Sequence, residues 1–305
     1  MSSNSSTLKK WGNKEKAQWL SQQTIKRSYK DEVLTKVDQL SKHFTIHQYG
    51  SLDYSVDNAP LSYPLFAIHS KSWDENKPNI LITGGVHGYE TSGVQGALRF
   101  LETKALDYSD KFNFVVAPCI SPWGYETINR WNPEAVDPNR SFSTPSPAQE
   151  AATIMAYIKS LDASFLAHLD LHETTDTDNS VFRPALAARD AIELDHWDIP
   201  DGFYLVGDTQ NPVPEFQKAI IQNVEKVTHI APADDKGEMI GDKVEQHGVI
   251  NYATRKLGLC AGFSGTKYSS TTEVYPDSPK VNDENCIHAQ IAAVEGALDY
   301  LISNS

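Results

Sequence analysis

The chain has 305 residues, of which 40% are hydrophobic and 22% are charged, so it can bury the core of one large domain or two small ones. Its net charge of −13 disfavours nucleic acid or an anionic membrane as the main partner, because both repel an acidic surface. No apolar run has the length of a signal peptide or a membrane span, and three widely spaced cysteines argue against a disulfide framework, which together predict a cytoplasmic protein.

Predicted helices and strands alternate along the chain. Residues 14–42 carry apolar positions at helical spacing, which predicts an N-terminal helical extension, residues 1–45, packed on a single domain, residues 46–305. Apolar and β-branched runs predict strands that begin near Phe44, Tyr63, Asn79, Phe112, Phe165, Gly202 and Thr271, with helices over residues 91–101, 148–161, 213–227 and 286–302. The stretch 174–201 is rich in loops. This alternation predicts an α/β fold with a mixed, mostly parallel central sheet and helices on both faces.

A histidine and a glutamate follow the strand that begins at Asn79. The sequence NILITGGVHGYE runs through two glycines to His87 and Glu90. Glycine-rich turns often bind phosphate, but no Lys-Ser or Lys-Thr pair follows and no G-x-G-x-x-G pattern is present. Imidazole and carboxylate are zinc ligands, and a spacing of three residues lets both point at one ion. An H-x-x-E pair alone is more often a solvated turn, so further ligands decide the matter.

A third ligand is available at the end of another strand. The sequence FLAHLDLHETTD places His172 85 residues after His87. Asp170 lies on the same face of that strand and could orient a ligand, whereas His168 is better interpreted as a packed histidine.

Two arginines and a glutamate add further chemistry. Arg130 and Arg140 lie among polar and turn residues, and the planar fork of arginine binds a carboxylate through two hydrogen bonds. For each, a surface salt bridge is the alternative. Glu273 stands inside the otherwise apolar run TTEVYP, where a carboxylate is costly unless it is paired or functional.

The ordered set H-x-x-E, Arg, Asn-Arg, His, Tyr and Glu resembles the zinc carboxypeptidases, the carboxypeptidase A-like metallocarboxypeptidases. It also resembles their relatives, the succinylglutamate desuccinylases and aspartoacylases. The resemblance covers about residues 60–305. It implies that His87, Glu90 and His172 bind one Zn²⁺ and that Glu273 is the general base that activates the metal-bound water.

The resemblance also implies roles for four more residues. Arg130 would polarise the scissile carbonyl, Asn139 and Arg140 would grip the terminal carboxylate of the substrate, and Tyr252 would close over it. The run between Tyr252 and Glu273 holds no acidic residue, which favours a small or apolar C-terminal side chain over a basic one.

Two readings of the substrate stay open. The short intervals from His87 to His172 and from Arg130 to Asn139, and the run DLHETT, are typical of the desuccinylase branch. In contrast, one apolar helix fills the 32 residues after Glu273, as in carboxypeptidases, and leaves no room for a β-rich C-terminal domain.

The favoured hypothesis is therefore a metallocarboxypeptidase that hydrolyses the C-terminal bond of peptides. The alternative is a zinc amidohydrolase that cleaves an N-acyl amino acid, a substrate that also has a free carboxylate. A non-catalytic binding domain of the same fold and a metal-free α/β domain are the remaining interpretations. The sequence carries no signal for an oligomeric state.

Overall fold

The structure, a computed structural model, describes residues 9–56, 59–194 and 198–304. The first eight residues of the predicted extension lie outside the described residues. The strands are β1 Phe44–Val56, β2 Ala59–Ser70, β3 Asn79–Gly84, β4 Asn113–Ala117, β5 Ala167–Glu173, β6 Tyr204–Asp208, β7 Glu238–Met239, β8 Asp242–Gln246, β9 Val249–Tyr252 and β10 Tyr268–Val274. The α-helices are α1 Asn13–Leu20, α2 Thr35–Leu40, α3 Thr91–Thr103, α4 Pro122–Thr127, α5 Gln149–Ser160, α6 Arg183–Asp190, α7 Pro214–Val224, α8 Cys260–Phe263 and α9 Asp283–Ser303.

The strands form one mixed sheet in the order β1-β2-β4-β3-β5-β10-β6-β9-β8-β7. The four central strands, β4, β3, β5 and β10, pair in parallel and run in one direction. Strands β6 and β9 also pair in parallel. The other pairs are antiparallel. The mixed sheet is confirmed, with its parallel part at the centre. The carboxyl ends of the four central strands therefore meet at one edge, which is where sites form in such sheets.

Both faces of the sheet are buried at the central strands β3, β4 and β5, as their continuous apolar runs require. In β3, Ile80 and Ile82 belong to a large core with α3, α7 and α9, while Leu81 points to the other face. There Leu81 packs with Val115 and with Ile154 of α5. Because side chains alternate along a strand, one apolar run serves two cores. The predicted helices on both faces are confirmed.

The predicted strands and helices are present with ends shifted by a few residues, but two regions differ from the prediction. Within the stretch that looked like loops, residues 178–182 form a π-helical turn that continues into α6. Helix α6 spans only eight residues and buries none of them, so its few apolar residues give a weak signal for a helix. Strand β8 is likewise only partly covered, and neither it nor β7 and β9 was predicted.

The N-terminal segment is tied to the rest of the molecule. Val33, Val37 and Leu40 are buried in the same core as β1. All three cysteines are free and buried, in agreement with their interpretation as small apolar residues. Among the described helices, none combines the length and apolarity needed to cross a membrane. The division at residue 45 stays a prediction.

Candidate metal centre and substrate cleft

His87, Glu90 and His172 converge at the carboxyl edge of the central strands. His87 lies in the turn after β3, Glu90 caps the start of α3, and His172 lies near the end of β5. Glu90 Oε1 is 2.7 Å from His87 Nδ1, and Glu90 Oε2 is 2.7 Å from His172 Nδ1. All three side chains are buried, and their donor atoms lie within 4.8 Å of one another. The solvated-turn interpretation of the H-x-x-E pair therefore does not hold.

The turn that carries His87 and Glu90 needs its glycines. Gly85 has a φ of +59°, in the region that favours glycine, and a Cβ on Gly88 would lie 2.1 Å from the amide nitrogen of Tyr125. Arg27 of the N-terminal segment fastens this turn from outside, donating to the carbonyl of Gly88 at 2.9 Å and to Thr91 Oγ1 at 2.6 Å. The glycines thus serve close backbone packing rather than phosphate binding.

Each imidazole is oriented by a carboxylate behind it. His87 Nε2 is 2.9 Å from Asp137 Oδ1, and His172 Nε2 is 2.8 Å from Asp170 Oδ2. A carboxylate that accepts from Nε2–H leaves the Nδ1 lone pair directed at Glu90, which is the arrangement typical of metal-binding histidines. His168 instead lies outside the group, because its Nε2 is 2.9 Å from Thr83 Oγ1. Its interpretation as a packed histidine agrees with these contacts.

The donor set fits a divalent cation. Glu90 Oε2 is buried and makes no hydrogen bond among the described residues, although His172 Nδ1 lies 2.7 Å away. A buried oxygen of this kind is costly unless something positive faces it. Burial alone would raise the pKa of Glu90, but the positive charge that the imidazoles of His172 and His87 carry when no ion is bound lowers it to about 2. Two imidazoles and a carboxylate form a known three-ligand set for catalytic zinc.

Glu273 stands next to His172 on the adjacent strand. The register of the parallel strands β10 and β5 pairs Glu273 with His172, so both side chains project from the same face of the sheet. Glu273 Oε2 accepts a hydrogen bond from Thr174 Oγ1 at 2.8 Å, and that hydroxyl also lies 2.7 Å from the Tyr204 hydroxyl. Burial raises the pKa of Glu273 to about 7, although the nearby His172 acts in the opposite direction. A carboxyl group with this pKa can take up and release a proton near neutral pH.

Arg130 is held between two carboxylates. Its Nε donates to Asp137 Oδ2 at 3.0 Å and its Nη1 donates to Asp178 Oδ1 at 2.9 Å. Asp178 also accepts from the Tyr89 hydroxyl at 2.9 Å. The surface salt bridge considered for Arg130 is thus a largely buried pair of bridges. Among the contacts of the described residues, Nη2 of Arg130 makes none.

Arg140 is placed differently. Asn139 Oδ1 accepts from the backbone amide of Cys260 at 2.8 Å, which fixes the loop that carries both residues. Arg140 Nη1 donates to the carbonyl of Asn139 at 2.7 Å, and no described carboxylate forms an ion pair with its guanidinium. Tyr252, at the end of β9, lines the same cleft as Arg140 and Glu273.

These groups share one cleft of about 570 Å³. His87, Glu90, Arg130, Arg140 and Glu273 contribute to its lining. Apolar side chains cover part of its walls, namely Val206, Ile240, Leu259 and the ring of Tyr204. Cavities of this size, mostly apolar with a few convergent polar groups, are typical of ligand sites.

Sequence reasoning overlooked two residues of this site. Asp137 lies two positions before Asn139 in DPNR, so its position beside that pair was a signal that could have been used. Asp178 lies in the stretch that lacked a recognisable pattern, and only the fold brings it to Arg130.

Similar solved structures define a metallopeptidase fold. A protein of Shewanella amazonensis assigned as a metallopeptidase shares 19% identity at a TM-score of 0.66, over 92% of this chain and 99% of its own. A metallo-carboxypeptidase of Burkholderia cenocepacia shares 14% identity at a TM-score of 0.61, over 89% and 68%. Bovine thrombin-activatable fibrinolysis inhibitor, solved with a tick carboxypeptidase inhibitor, shares 13% identity at a TM-score of 0.58, over 94% and 100%. No curated protein matches the sequence.

The family is shown by sequence. A family model described as zinc carboxypeptidase matches residues 31–254, and the chain belongs to that family. The matched range includes the three residues of the candidate metal centre and four residues of the cleft, namely His87, Glu90, His172, Arg130, Asn139, Arg140 and Tyr252. Glu273 follows it. Membership places the chain among the metallopeptidases, a class of hydrolases whose members in this family depend on zinc.

Proposed function

We propose that the protein is a zinc-dependent metallocarboxypeptidase that releases the C-terminal residue of peptides. The observation that carries the proposal is Arg140, a guanidinium without a carboxylate partner among the described residues, in the same cleft as His87, Glu90 and Glu273. A free carboxylate of the substrate would supply the missing partner. The clustered donors and the family support the hydrolytic chemistry.

His87, Glu90 and His172 would hold the ion, with Asp137 and Asp170 fixing the two imidazoles. When bound, zinc lowers the pKa of water and polarises a carbonyl oxygen. The residues behind the ligands keep both Nδ1 atoms directed at the ion.

Glu273 acts as the general base. Glu273 is paired with His172 on the adjacent strand, so its carboxylate lies on the side of the sheet where the ion would bind. Thr174 donates a hydrogen bond to one of its oxygens. Glu273 takes a proton from water and later gives it to the leaving amine. Thr174 keeps the carboxylate oriented during both transfers.

Arg130 stabilises the negative charge that develops on the scissile carbonyl oxygen. Two of its nitrogen atoms are occupied by Asp137 and Asp178, and these bridges aim the guanidinium without using Nη2. A donor that is fixed before the reaction needs no reorganisation when the charge forms.

The C-terminal residue of the substrate is bound by Arg140, Asn139 and Tyr252. Arg140 binds the terminal carboxylate with the help of Asn139, and Tyr252 covers the bound residue. Val206, Ile240 and Leu259 line the cleft with apolar surface, which supports a preference for small or apolar C-terminal side chains.

Arg140→Ala is expected to remove the preference for a free C-terminus. The wild-type protein should cleave a peptide with a free terminus at least about 100-fold faster than its amidated form, because loss of a buried charge partner costs about 3 kcal/mol. The variant should lose most of this ratio through a higher KM for the free peptide. Measurement of kcat/KM for the matched peptide pair gives the answer.

Arg140→Lys is the matched control, because it keeps the positive charge but loses the planar guanidinium that forms two hydrogen bonds. Its ratio of kcat/KM for the free and the amidated peptide should lie between those of the wild-type protein and Arg140→Ala. An unchanged ratio in Arg140→Ala would contradict the assignment of Arg140. Rapid deacylation of N-acyl amino acids without peptide cleavage would favour the amidohydrolase alternative.

Asp170→Asn is expected to weaken metal binding by about 10–100-fold, as for other residues behind a metal ligand. The amide either points its NH₂ group at His172 Nε2 or loses its bond to Thr83, so the imidazole is less well fixed. Competition with a chromogenic chelator measures the affinity. Asp162→Asn, an exposed change in the turn before the same strand, should have no effect. Equal affinities would show that Asp170 does not orient the ligand.

A further inference from the structure

The N-terminal segment that carries α1 forms one rim of the cleft. The amide of Trp11 donates to the carbonyl of Arg189 at 2.9 Å. The Trp11 ring meets Trp131 edge-on, with centroids 6.1 Å apart, and Trp19 packs on Trp131 and Trp123 with centroids 5.6 and 6.1 Å apart. Four aromatic rings thus fix the segment against the loop that follows α4, so its side chains have defined positions at the cleft.

This rim brings two lysines to the cleft. Lys10 and Lys16 line it, and among the described residues no carboxylate forms an ion pair with either. The nearby carboxylates are already engaged. Asp190 accepts two hydrogen bonds from Arg189, at 2.9 and 2.8 Å, and Glu15 accepts from the backbone amide that precedes α1. The rim is therefore positive, although the whole chain has a net charge of −13.

The lysines and Arg140 lie at different parts of the cleft. Arg140 follows Asn139, which is bonded to the start of α8. Lys10 and Lys16 lie beside Asp190, at the end of α6, whose pKa is lowered mainly by Arg189 and also by both lysines. Because both lysines line the same cleft as Arg140, a peptide with its carboxylate on Arg140 and its last peptide bond beside His87 and Glu90 can extend its preceding residues to this rim.

We propose that Lys10 and Lys16 form a subsite for acidic side chains on the amino side of the scissile bond. The inference rests on the proposed carboxypeptidase function for the direction in which the substrate lies. An exposed ion pair gives about a 1.5- to 5-fold preference, so two should give about 2- to 25-fold. The remaining acidic surface repels such peptides, which makes a local cationic rim decisive for their binding.

The test compares two peptides that share a neutral C-terminal residue and carry either two Glu or two Gln residues just before it. For the zinc-loaded wild-type protein, kcat/KM should be higher for the Glu peptide, and the ratio should fall toward one as salt is raised. The double variant Lys10→Glu/Lys16→Glu should invert the ratio. Lys14→Glu is the matched control, because Lys14 lies exposed on the same helix and does not line the cleft, and it should leave the ratio near the wild-type value.

Binding gives a second readout that does not depend on turnover. Calorimetric titration of both peptides into the Glu273→Gln protein, which is expected not to turn them over, with and without the two lysine changes, should show the same order of Kd values as kcat/KM, with circular dichroism confirming the fold. Equal Kd values for the two peptides in the Glu273→Gln protein, together with equal kcat/KM values in the wild-type protein, would overturn the subsite and leave the carboxypeptidase proposal intact. If neither peptide is cleaved, the carboxypeptidase proposal is contradicted. The ratio of the two Kd values would still decide whether the lysines select peptides with acidic side chains.

Discussion

Glu273→Gln is expected to lower kcat by about 10²–10⁴-fold while the protein keeps its metal, because the amide cannot take a proton from water. The substitution preserves shape, and Thr174 Oγ1 can still donate to the amide oxygen as it does to the carboxylate at 2.8 Å. KM should change little, since Glu273 is not among the groups proposed to bind the substrate. Steady-state kinetics on a free peptide and metal analysis of the same preparation measure both parts.

The matched control for this change is Glu134→Gln, which removes one exposed carboxylate from the loop that follows Arg130. It should retain wild-type kcat, so any general effect of lost negative charge is separated from the loss of the base. Turnover near the wild-type rate in Glu273→Gln would rule out Glu273 as the base. Loss of metal together with activity would instead assign Glu273 to holding the ion.

The residues of the candidate metal centre could be identified because each follows from local sequence. Strand β3 is an unbroken apolar run, so its end and the turn that carries His87 and Glu90 are identifiable. His172 lies near the end of a second such strand. Parallel strands at the centre of a sheet bring their carboxyl ends to one edge, and convergence follows from topology once both strands are recognised.

The surroundings of the site could not be predicted, because they depend on contacts between residues far apart in the chain. Asp178 reaches Arg130 from a π-helical turn whose sequence lacks apolar periodicity. Lys10 and Lys16 reach the cleft only because Trp11 and Trp19 pack on distant aromatic rings. A polar segment with two tryptophans predicts a helix, but nothing in it indicates the surface that those rings contact.

His172→Ala is expected to abolish zinc binding at the candidate centre and, with it, all hydrolysis. The change removes one of three donors, and the buried carboxylates of Asp170 and Glu90, 0% and 1% exposed, each lose their contact with its imidazole. Zinc should raise the unfolding free energy of the wild-type protein by about 2.7 kcal/mol at a free concentration 100 times Kd, and this gain should vanish in the variant. Thermal unfolding with and without zinc, beside metal analysis, measures the difference.

Two comparisons make this result specific. His288→Ala, which removes an exposed imidazole from α9, should keep the zinc-dependent stabilisation and the bound metal of the wild-type protein. Treatment of the wild-type protein with a chelator should abolish activity, and added Zn²⁺ should restore it. Because Glu90 is buried and its Oε2 makes no hydrogen bond among the described residues, zinc would supply the partner that this oxygen lacks. Equal stabilisation by zinc in His172→Ala and in the wild-type protein would place the ion elsewhere and remove the basis of the proposed hydrolysis.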